Sequence, residues 1–347
     1  MSIASELTAL QGYIGDAYNA VSNKGGTIPA NKNMSNLSTA ISSIPAGSFG
    51  IPREVTSGGV YRRPQAAFAF SLPTGVTSIG ASALEYAFYN GSGATSVDFS
   101  TVTKASANAC DYAFYFNTGI TSVDLSSLTT VEGYAFCNAF FRCTSLVSVD
   151  ISSLATVSAN ANYAFKCAFQ NCTSLTSVNL SSLKDVRGSS TLESCFAYCS
   201  ALTSIDLSSL EVLWGTGAGL CKNMFSQCTS LASIDLSSLS RATGNNVFEN
   251  AFKQCAITTM NFNSLSNISS SKVFLSAFSG CTALTELRFP ALTTSSFGSY
   301  TDQFNKMLQG CTGVTVHFPA AIQSTIGSWA DVTSGFGGTN TTVLFDL

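Results

Sequence analysis

Charged side chains are scarce in this chain of 347 residues. Lys, Arg, Asp and Glu make up 10% of the sequence, against about 25% in ordinary globular proteins, and the net charge is −3. Without a basic field, we expect neither a nucleic acid nor an anionic membrane surface as a partner. Solubility must therefore come from Ser, Thr, Asn and Gly, and such a neutral, hydroxyl-rich surface is common outside cells.

Long apolar runs are missing as well. No stretch of about 18 apolar residues occurs, so we expect no insertion into a membrane. The first ten residues, MSIASELTAL, place no Lys or Arg ahead of an apolar run, and a secretory signal is therefore not expected. A protein of this kind that works outside the cell would leave by another route.

Histidine occurs once, at His317, and no GxSxG motif accompanies it. A nucleophilic triad would need an activated Ser or Cys beside that imidazole, so we predict no enzyme activity and no cofactor. Asp124 and Asp150 stand on adjacent repeats and resemble a carboxylate pair for sugar hydrolysis. Their recurrence along the chain instead indicates a repeated surface position.

One phrase is abundant: CTSLVSVDISSL at 143–154, CTSLTSVNLSSL at 172–183 and CTSLASIDLSSL at 228–239. Nine units of 26 to 29 residues predict a solenoid, in which each unit buries its apolar face against its neighbours. Within SIDLS at 204–208, Ile205 and Leu207 point inward and the three polar residues point outward, which is the period of a strand. Aligned on this strand, one outward position is occupied by Asp98, Asp124, Asp150, Asn179, Asp206, Asp235, Asn261, Arg288 and His317.

The twelve cysteines follow the repeat. A Phe lies three residues before most members of the main column, which indicates a core ladder with a small side chain closing a tight turn. Buried free thiols are favoured over disulfides, because side chains in one column point the same way. A zinc site is disfavoured, since its ligand spacings arise from the repeat itself. The main column contains Cys143, Cys172, Cys199, Cys228, Cys255, Cys281 and Cys311; a second one contains Cys110, Cys137, Cys167, Cys195 and Cys221.

Phrases of the form AFxxCTSLTSVDLSSL resemble the BspA-like class of bacterial leucine-rich repeats across residues 67–318. The resemblance implies an α/β repeat solenoid of about nine rungs, curved and right-handed, with a parallel sheet. It also implies adhesion and recognition without enzyme activity. The units are longer than is usual for that class, so helix-like segments such as ANANYAFKCAF are expected to widen the convex side. Residues 319–347 predict a C-terminal cap.

Residues 1–45 predict a small helical module, followed by a Gly/Pro-rich linker at 46–66. The first segment is similar to N-terminal segments of bacteriophage tail and fibre proteins. Its apolar heptad seam either packs within a two-helix hairpin or forms a homo-oligomer, with a trimer favoured, and would attach the chain to other virion proteins. The seam consists of Ile3, Leu7, Leu10, Ile14, Ala17 and Val21.

Four segments differ between units, at 184–194, 211–223, 240–250 and 293–306. They carry the candidate ligand-binding residues, which would hold a host cell-surface glycan or a protein loop. The alternative is that the indole of Trp214 only fills a wider rung. These candidates are Trp214, Arg187, Lys222, Arg241, Asn245 and Asn246.

The sequence therefore favours a non-enzymatic recognition protein, a virion tail-fibre or receptor-binding component that contacts the host surface. The alternative is a BspA-like bacterial surface adhesin. An intracellular scaffold suits the free thiols but not the scarce charges. The outward Asp column leaves calcium binding open, although ligands that point away from a sheet form a poor cage.

Overall fold

The computed structural model describes residues 54–55, 61–62, 67–72, 75–91, 93–215 and 217–347. The predicted helical module at 1–45 and most of the linker at 46–66 lie outside these residues. Within the linker, β1 (Glu54–Val55) and β2 (Tyr61–Arg62) pair with each other in antiparallel orientation. The seam residues outside the described part are Ile3, Leu7, Leu10, Ile14, Ala17 and Val21.

The first face of the solenoid is a stack of short parallel strands, one from each rung. The Asp98, Asp124, Asp150 and Asn179 positions are in register, which confirms the predicted repeat alignment. One further strand precedes the nine predicted ones and one follows them. The strands are β3 (Phe68–Ser71), β5 (Ala94–Asp98), β7 (Ser122–Asp124), β9 (Ser148–Asp150), β11 (Ser177–Asn179), β13 (Ser204–Ile205), β15 (Ser233–Ile234), β17 (Thr259–Asn261), β18 (Glu286–Arg288), β19 (Thr315–Phe318) and β20 (Thr342–Phe345).

A second parallel sheet runs along the next side of the rungs. Each of its strands buries one apolar side chain, such as Val186 or Leu213, and the residues next to it along the strand point outward. Sequence analysis predicted one parallel sheet, because two- to four-residue strands carry too little alternation to be recognised. The strands are β4 (Ser78–Ile79), β6 (Lys104–Ala105), β8 (Thr130–Val131), β10 (Thr156–Val157), β12 (Asp185–Gly188), β14 (Val212–Gly215) and β16 (Arg241–Thr243).

The third side of each rung is a run of consecutive turns, which we call the turn ladder. In the rung of Tyr86, alternate N–H groups donate within the rung, as from Ala87 to the Leu84 carbonyl at 3.0 Å. The others donate to the following rung, as from Tyr86 to the Asp111 carbonyl at 2.9 Å. Every fourth residue has a positive φ, including Ser82, Tyr86 and Asn90.

The turn ladder corrects the predicted helical convex side. ANANYAFKCAF contains no helix, because Tyr163 (φ 60°) and Cys167 (φ 54°) take the left-handed conformation that interrupts an α-helix. In the described residues the α-helices are α1 (Gln323–Ile326) and α2 (Ala330–Thr333), one turn each. Three short 3₁₀-helices accompany them, at Thr294–Phe297, Ala320–Ile322 and Gly335–Gly337. The described fold is therefore a β-solenoid and not an α/β one.

Rungs differ in length chiefly at the corner between the second sheet and the turn ladder. The ladder hydrogen bonds align Leu84, Phe165 and Cys221 at one position of their rungs. Counted from the buried residue of the second-sheet strand, this position is five residues away from Ile79 to Leu84. It is eight residues away from Val157 to Phe165 and again from Leu213 to Cys221. The ladder hydrogen bonds resume in register after each longer corner. Extra residues therefore leave the stacking of the rungs unchanged.

The core is a ladder of aromatic rings and thiols. Phe140, Phe169 and Phe196 stack in parallel with ring centroids 5.4 and 5.6 Å apart. All twelve cysteines are free, as predicted. In the main column each thiol donates to a Phe carbonyl on the preceding rung, as from Cys172 to Phe140 at 3.2 Å. All seven such contacts lie between 2.9 and 3.4 Å, so the side chain satisfies a carbonyl that the turn leaves partly free.

The second predicted cysteine column does not exist as one column. The ladder register aligns Cys110 with Phe136, and Cys221 with Phe248, at one buried position. The remaining three occupy three other positions, because their spacing from the main column varies by a residue at a time. These three are Cys137, Cys167 and Cys195.

Residues after β19 cover the last rung. The helices and the strand β20 pack there, and β20 continues the first sheet in parallel with β19. Phe336, Ile322 and Ile326 are fully buried beneath them. This arrangement shields the apolar edge that the final rung would otherwise expose.

Candidate functional site

A shallow groove of about 610 Å³ runs along the first sheet and is lined by the Ser-x-Asp rows. Each outward Asp uses its carboxylate locally, because it accepts the backbone N–H of the residue two positions later. The distance is 2.9 Å from Ser126 to Asp124 and 2.9 Å from Ser152 to Asp150. These bonds hold the turn that ends the strand. The paired carboxylates are therefore structural groups, and the uniform groove distinguishes no rung from the next.

The second sheet is different, because its outward residues change from rung to rung. In register, Asp185, Val212 and Arg241 form one outward row. Arg187, Trp214 and Thr243 form the next outward row, two residues further along the same strands. We call these six residues the Arg–Trp surface. It joins three of the predicted site residues, namely Arg187, Trp214 and Arg241.

Arg187 is fixed in place by its own strand. Its Nε donates one hydrogen bond that is shared by both Asp185 carboxylate oxygens, at 2.9 Å from each, and its Nη2 donates a second at 2.6 Å. This partner raises the pKa of Arg187, which is charged in any case. The guanidinium carbon lies 5.0 Å from the centre of the Trp214 ring, a cation–π contact between adjacent rungs. Sequence analysis missed Asp185, although its place two residues before Arg187 puts both on one face of a strand.

Trp214 is 42% exposed, so it does not fill the rung as a plug. The buried residue of its strand is Leu213, which has no exposed surface. Gly215 follows, and Gly244 lies beside it on the next rung with φ 117°. A Cβ on Gly244 would come within 2.8 Å of the Gly215 Cα, so the two backbones approach as closely as glycine permits.

The other predicted site residues lie elsewhere, on the turn ladder. Lys222 pairs with Glu249 at 2.9 Å, and Asn246 donates to the same carboxylate at 2.7 Å. Asn245 contributes its backbone carbonyl to the ladder, by accepting from Gly219. The contacts of Lys222 and Asn245 join neighbouring rungs, whereas that of Asn246 lies within one rung. The predicted set of six is therefore two groups, on either side of the corner that ends β14.

His317 is also engaged in structural contacts. Its Nδ1 lies 2.8 Å from an oxygen of Asp346, the residue that follows the closing strand β20, and its Nε2 lies 3.3 Å from Glu286. Arg288, which is in register with His317 on the preceding rung, also donates to Glu286 at 2.7 Å. The only histidine thus ties the last rung to the strand that covers it, and no Ser or Cys is among these partners.

Two further properties concern the described residues alone. Within them, no group of three or more His, Cys, Asp or Glu side chains is arranged to hold a metal ion. No helix in that part of the chain has the length and apolar character needed to cross a bilayer.

Comparison with known proteins agrees with the repeat architecture. A model of the "BspA type Leucine rich repeat region (6 copies)" matches residues 68–189, 112–213, 166–275 and 194–326. No curated protein sequence matches the chain. A solved leucine-rich cell surface protein from Faecalibacterium prausnitzii A2-165 is similar at 16% identity, over 86% of this chain and 87% of that chain, with a TM-score of 0.22. Since the matches to the repeat model together span residues 68–326, well over half of the sequence, the chain belongs to the BspA-type leucine-rich repeat family.

Proposed function

We propose that this protein is a non-enzymatic adhesin of a bacterial cell surface, which binds ligands on host or neighbouring cells. Membership of the BspA-type repeat family supports recognition as its general role. This choice reverses the preference drawn from the sequence. The tail-fibre interpretation depends on residues 1–45, and no comparison supports a likeness between that segment and bacteriophage proteins. The predicted trimer depends on the same segment and stays a prediction.

The exposed ring of Trp214 is the observation that supports this location of the binding surface. Trp214 is 42% exposed on a sheet whose other outward residues are mostly small or polar. Exposed aromatic rings held rigidly by their neighbours are the usual anchors of binding interfaces. Arg187 holds the ring from one side and is itself held by Asp185, so little side-chain entropy remains to be lost when a ligand binds. The Arg–Trp surface is therefore the binding surface that we propose.

The test is binding of the fluorescently labelled protein to cultured epithelial cells and to cells of other bacteria. Trp214→Ala should weaken binding at least tenfold, which corresponds to about 1.4 kcal/mol. Tyr198→Ala is the matched control, because Tyr198 is 46% exposed but lies on the turn ladder. It should bind within twofold of the unaltered protein.

Thermal unfolding separates loss of binding from loss of fold. Both variants should keep the melting temperature of the unaltered protein within a few degrees, since surface substitutions of this kind change stability little. A folded Trp214→Ala variant that binds cells as the unaltered protein does would refute the proposed surface. A Trp214→Phe variant, which keeps an aromatic ring, should retain part of the affinity.

A further inference from the structure

We propose that the Arg–Trp surface binds a carboxylated pyranose, a uronic or sialic acid unit of a cell-surface glycan. The proposal rests on the proposed function, because it names the ligand class of that surface. It requires a platform for the sugar ring, a cation for the carboxylate and polar groups for the hydroxyls. The described residues supply each of these.

The platform is the face of the Trp214 ring that is turned away from Arg187. Neighbouring side chains in a parallel ladder are about 4.8 Å apart, so an indole in such a row has one face toward each adjacent rung. Arg187 occupies the first face at 5.0 Å. The residue in register on the other side is Thr243, whose side chain is too short to cover an indole. The apolar C–H face of a pyranose fits an aromatic face of this kind.

The cation is Arg241. It lies on the same strand as Thr243, two residues earlier and on the same outward face, so the two are about 6.8 Å apart. Arg241 is exposed, and no carboxylate of the described residues forms a salt bridge with it. A pyranose ring above Thr243 carries its carboxylate on the ring edge, and the long side chain of Arg241 can extend across the remaining distance. A guanidinium and a carboxylate can then form a bidentate pair.

The polar groups are those of the clamped ion pair. Asp185 occupies Nε and one Nη2 hydrogen of Arg187, so the remaining Nη hydrogens are free to donate to sugar hydroxyls. The Thr243 hydroxyl adds a group that both donates and accepts. Since Asp185 and Arg187 neutralise each other, Arg241 leaves the Arg–Trp surface with one net positive charge, in a chain whose net charge is −3. At its edge, Lys184 and Glu211 lie on adjacent rungs, where the Glu211 N–H donates to the Lys184 carbonyl at 2.8 Å, and their opposite charges add nothing to this total.

This balance selects among ligands. A basic peptide would place its cations against Arg241 and is disfavoured. A neutral sugar would stack on the ring but would leave Arg241 without a partner, and therefore should bind more weakly. The Trp214 ring also distinguishes an acidic sugar from a simple anion, which has no ring to stack.

Indole fluorescence provides the measurement. The chain has two Trp residues, so Trp329→Phe makes Trp214 the single reporter; Trp329 packs edge-on against Phe297 at 5.0 Å, a contact that Phe can keep. Methyl glucuronide and N-acetylneuraminic acid are titrated against methyl glucoside and acetate at low and high salt. We expect saturable quenching by at least one acidic sugar, at least tenfold tighter than methyl glucoside and weakened by salt. Acetate should give no saturable change.

Arg241→Gln should remove the preference for the acidic sugar, with a tenfold or greater loss of its affinity, and leave methyl glucoside within twofold. Lys272→Gln is the matched control, because Lys272 is also exposed and outside the described salt bridges but lies on the turn ladder. It should change neither affinity. Equal affinity for glucuronide and glucoside, or no saturable quenching by either acidic sugar, would overturn the proposal.

Failure of this inference is distinguishable from failure of the proposed function. If Trp214→Ala abolishes binding to cells while neither acidic sugar quenches Trp214, the surface binds a different ligand and only the inference is wrong. If Trp214→Ala binds cells normally, the proposed surface itself is wrong. If the proposed function and this inference are both right, prior treatment of the cells with sialidase or with a uronic-acid lyase should lower binding of the unaltered protein.

Discussion

The two sheets of the solenoid are built by the same stacking but differ in what their outward side chains do. On the first sheet, the outward Asp of nearly every rung is engaged in the turn that follows it, as Asp235 is by the N–H of Ser237 at 2.8 Å. On the second, Asp185, Val212 and Arg241 occupy one row although they have nothing in common chemically. A repeated position that serves the backbone must be uniform. A side chain that makes no bond to the backbone can differ from rung to rung, and can therefore contribute to specific binding of a ligand.

The largest effect is expected at Gly244, where the backbones of two rungs of the second sheet are in close contact. Gly244→Ala should destabilise the protein by about 3 kcal/mol, because φ is 117° and the new Cβ would lie 2.8 Å from the Gly215 Cα. Cell binding should weaken too, since Gly215 directly follows Trp214. Calorimetric unfolding measures the loss. In Gly313→Ala, φ is 71° with no atom within 4 Å, so the cost should be only about 1 kcal/mol.

A smaller effect is expected on the first sheet from Asp206→Ala. Asp206 accepts from the Ser208 N–H at 3.0 Å and from its hydroxyl at 2.7 Å, and the loss of both bonds should cost about 1 kcal/mol. These bonds lower the pKa of Asp206 below the ordinary value of 3.8. Its contribution is therefore present above pH 3.8 and is lost as the pH falls through the lower native pKa.

The destabilisation by Asp206→Ala, measured by denaturant unfolding, should accordingly be larger at pH 7 than at pH 3. Cell binding at pH 7 should stay within twofold of the unaltered protein. If this variant instead loses binding as Trp214→Ala is expected to do, the first sheet is the recognition face, and the contrast drawn between the sheets is reversed.

The smallest effect concerns the turn ladder, where Asp111 has an oxygen without a hydrogen-bond partner. Burial, and then the nearby charge of Glu85, raise the pKa of Asp111 to about 6. Protonated Asp111 is therefore compatible with the folded state, and its full contribution to the free energy of unfolding is present below pH 3.8. That contribution is lost as the pH rises through about 6. Asp111→Asn should melt slightly higher than the unaltered protein at pH 7.5 and equally at pH 3.5. A variant that is less stable at pH 7.5 would contradict this cause.

Sequence analysis predicted the features that repeat with fixed spacing. The Asp column, the Phe ladder and the Cys143 column were found because most rungs repeat them at one position. The turn ladder was not, since Ala, Tyr and Phe resemble a helical segment in composition. Its signal is a period of four in left-handed residues, as at Asn108, Tyr112 and Phe116. Tyr and Phe are unusual in that conformation, and it persists only where the stacked rungs impose it.

Only part of the candidate site was predicted as one group. Arg187, Trp214 and Arg241 were grouped because they lie in variable segments of adjacent rungs, and the sheet register does bring them together. Lys222 and Asn246 were grouped with them by sequence proximity alone. The corner between β14 and the turn ladder separates them in space, and a corner of varying length cannot be placed without the register on both of its sides.

That corner has a practical meaning. Its length changes between rungs while the hydrogen-bonded ladders on either side keep their alignment. In a solenoid of this design, the residues at the corner can vary in number and type while the hydrogen bonds that hold the rungs together stay the same. New loops could be grafted between Gly215 and Gly219, beside Trp214, with the cost of loop closure rising only slowly with their length. The same corner would let related chains acquire new specificities by insertion, without any change to their cores.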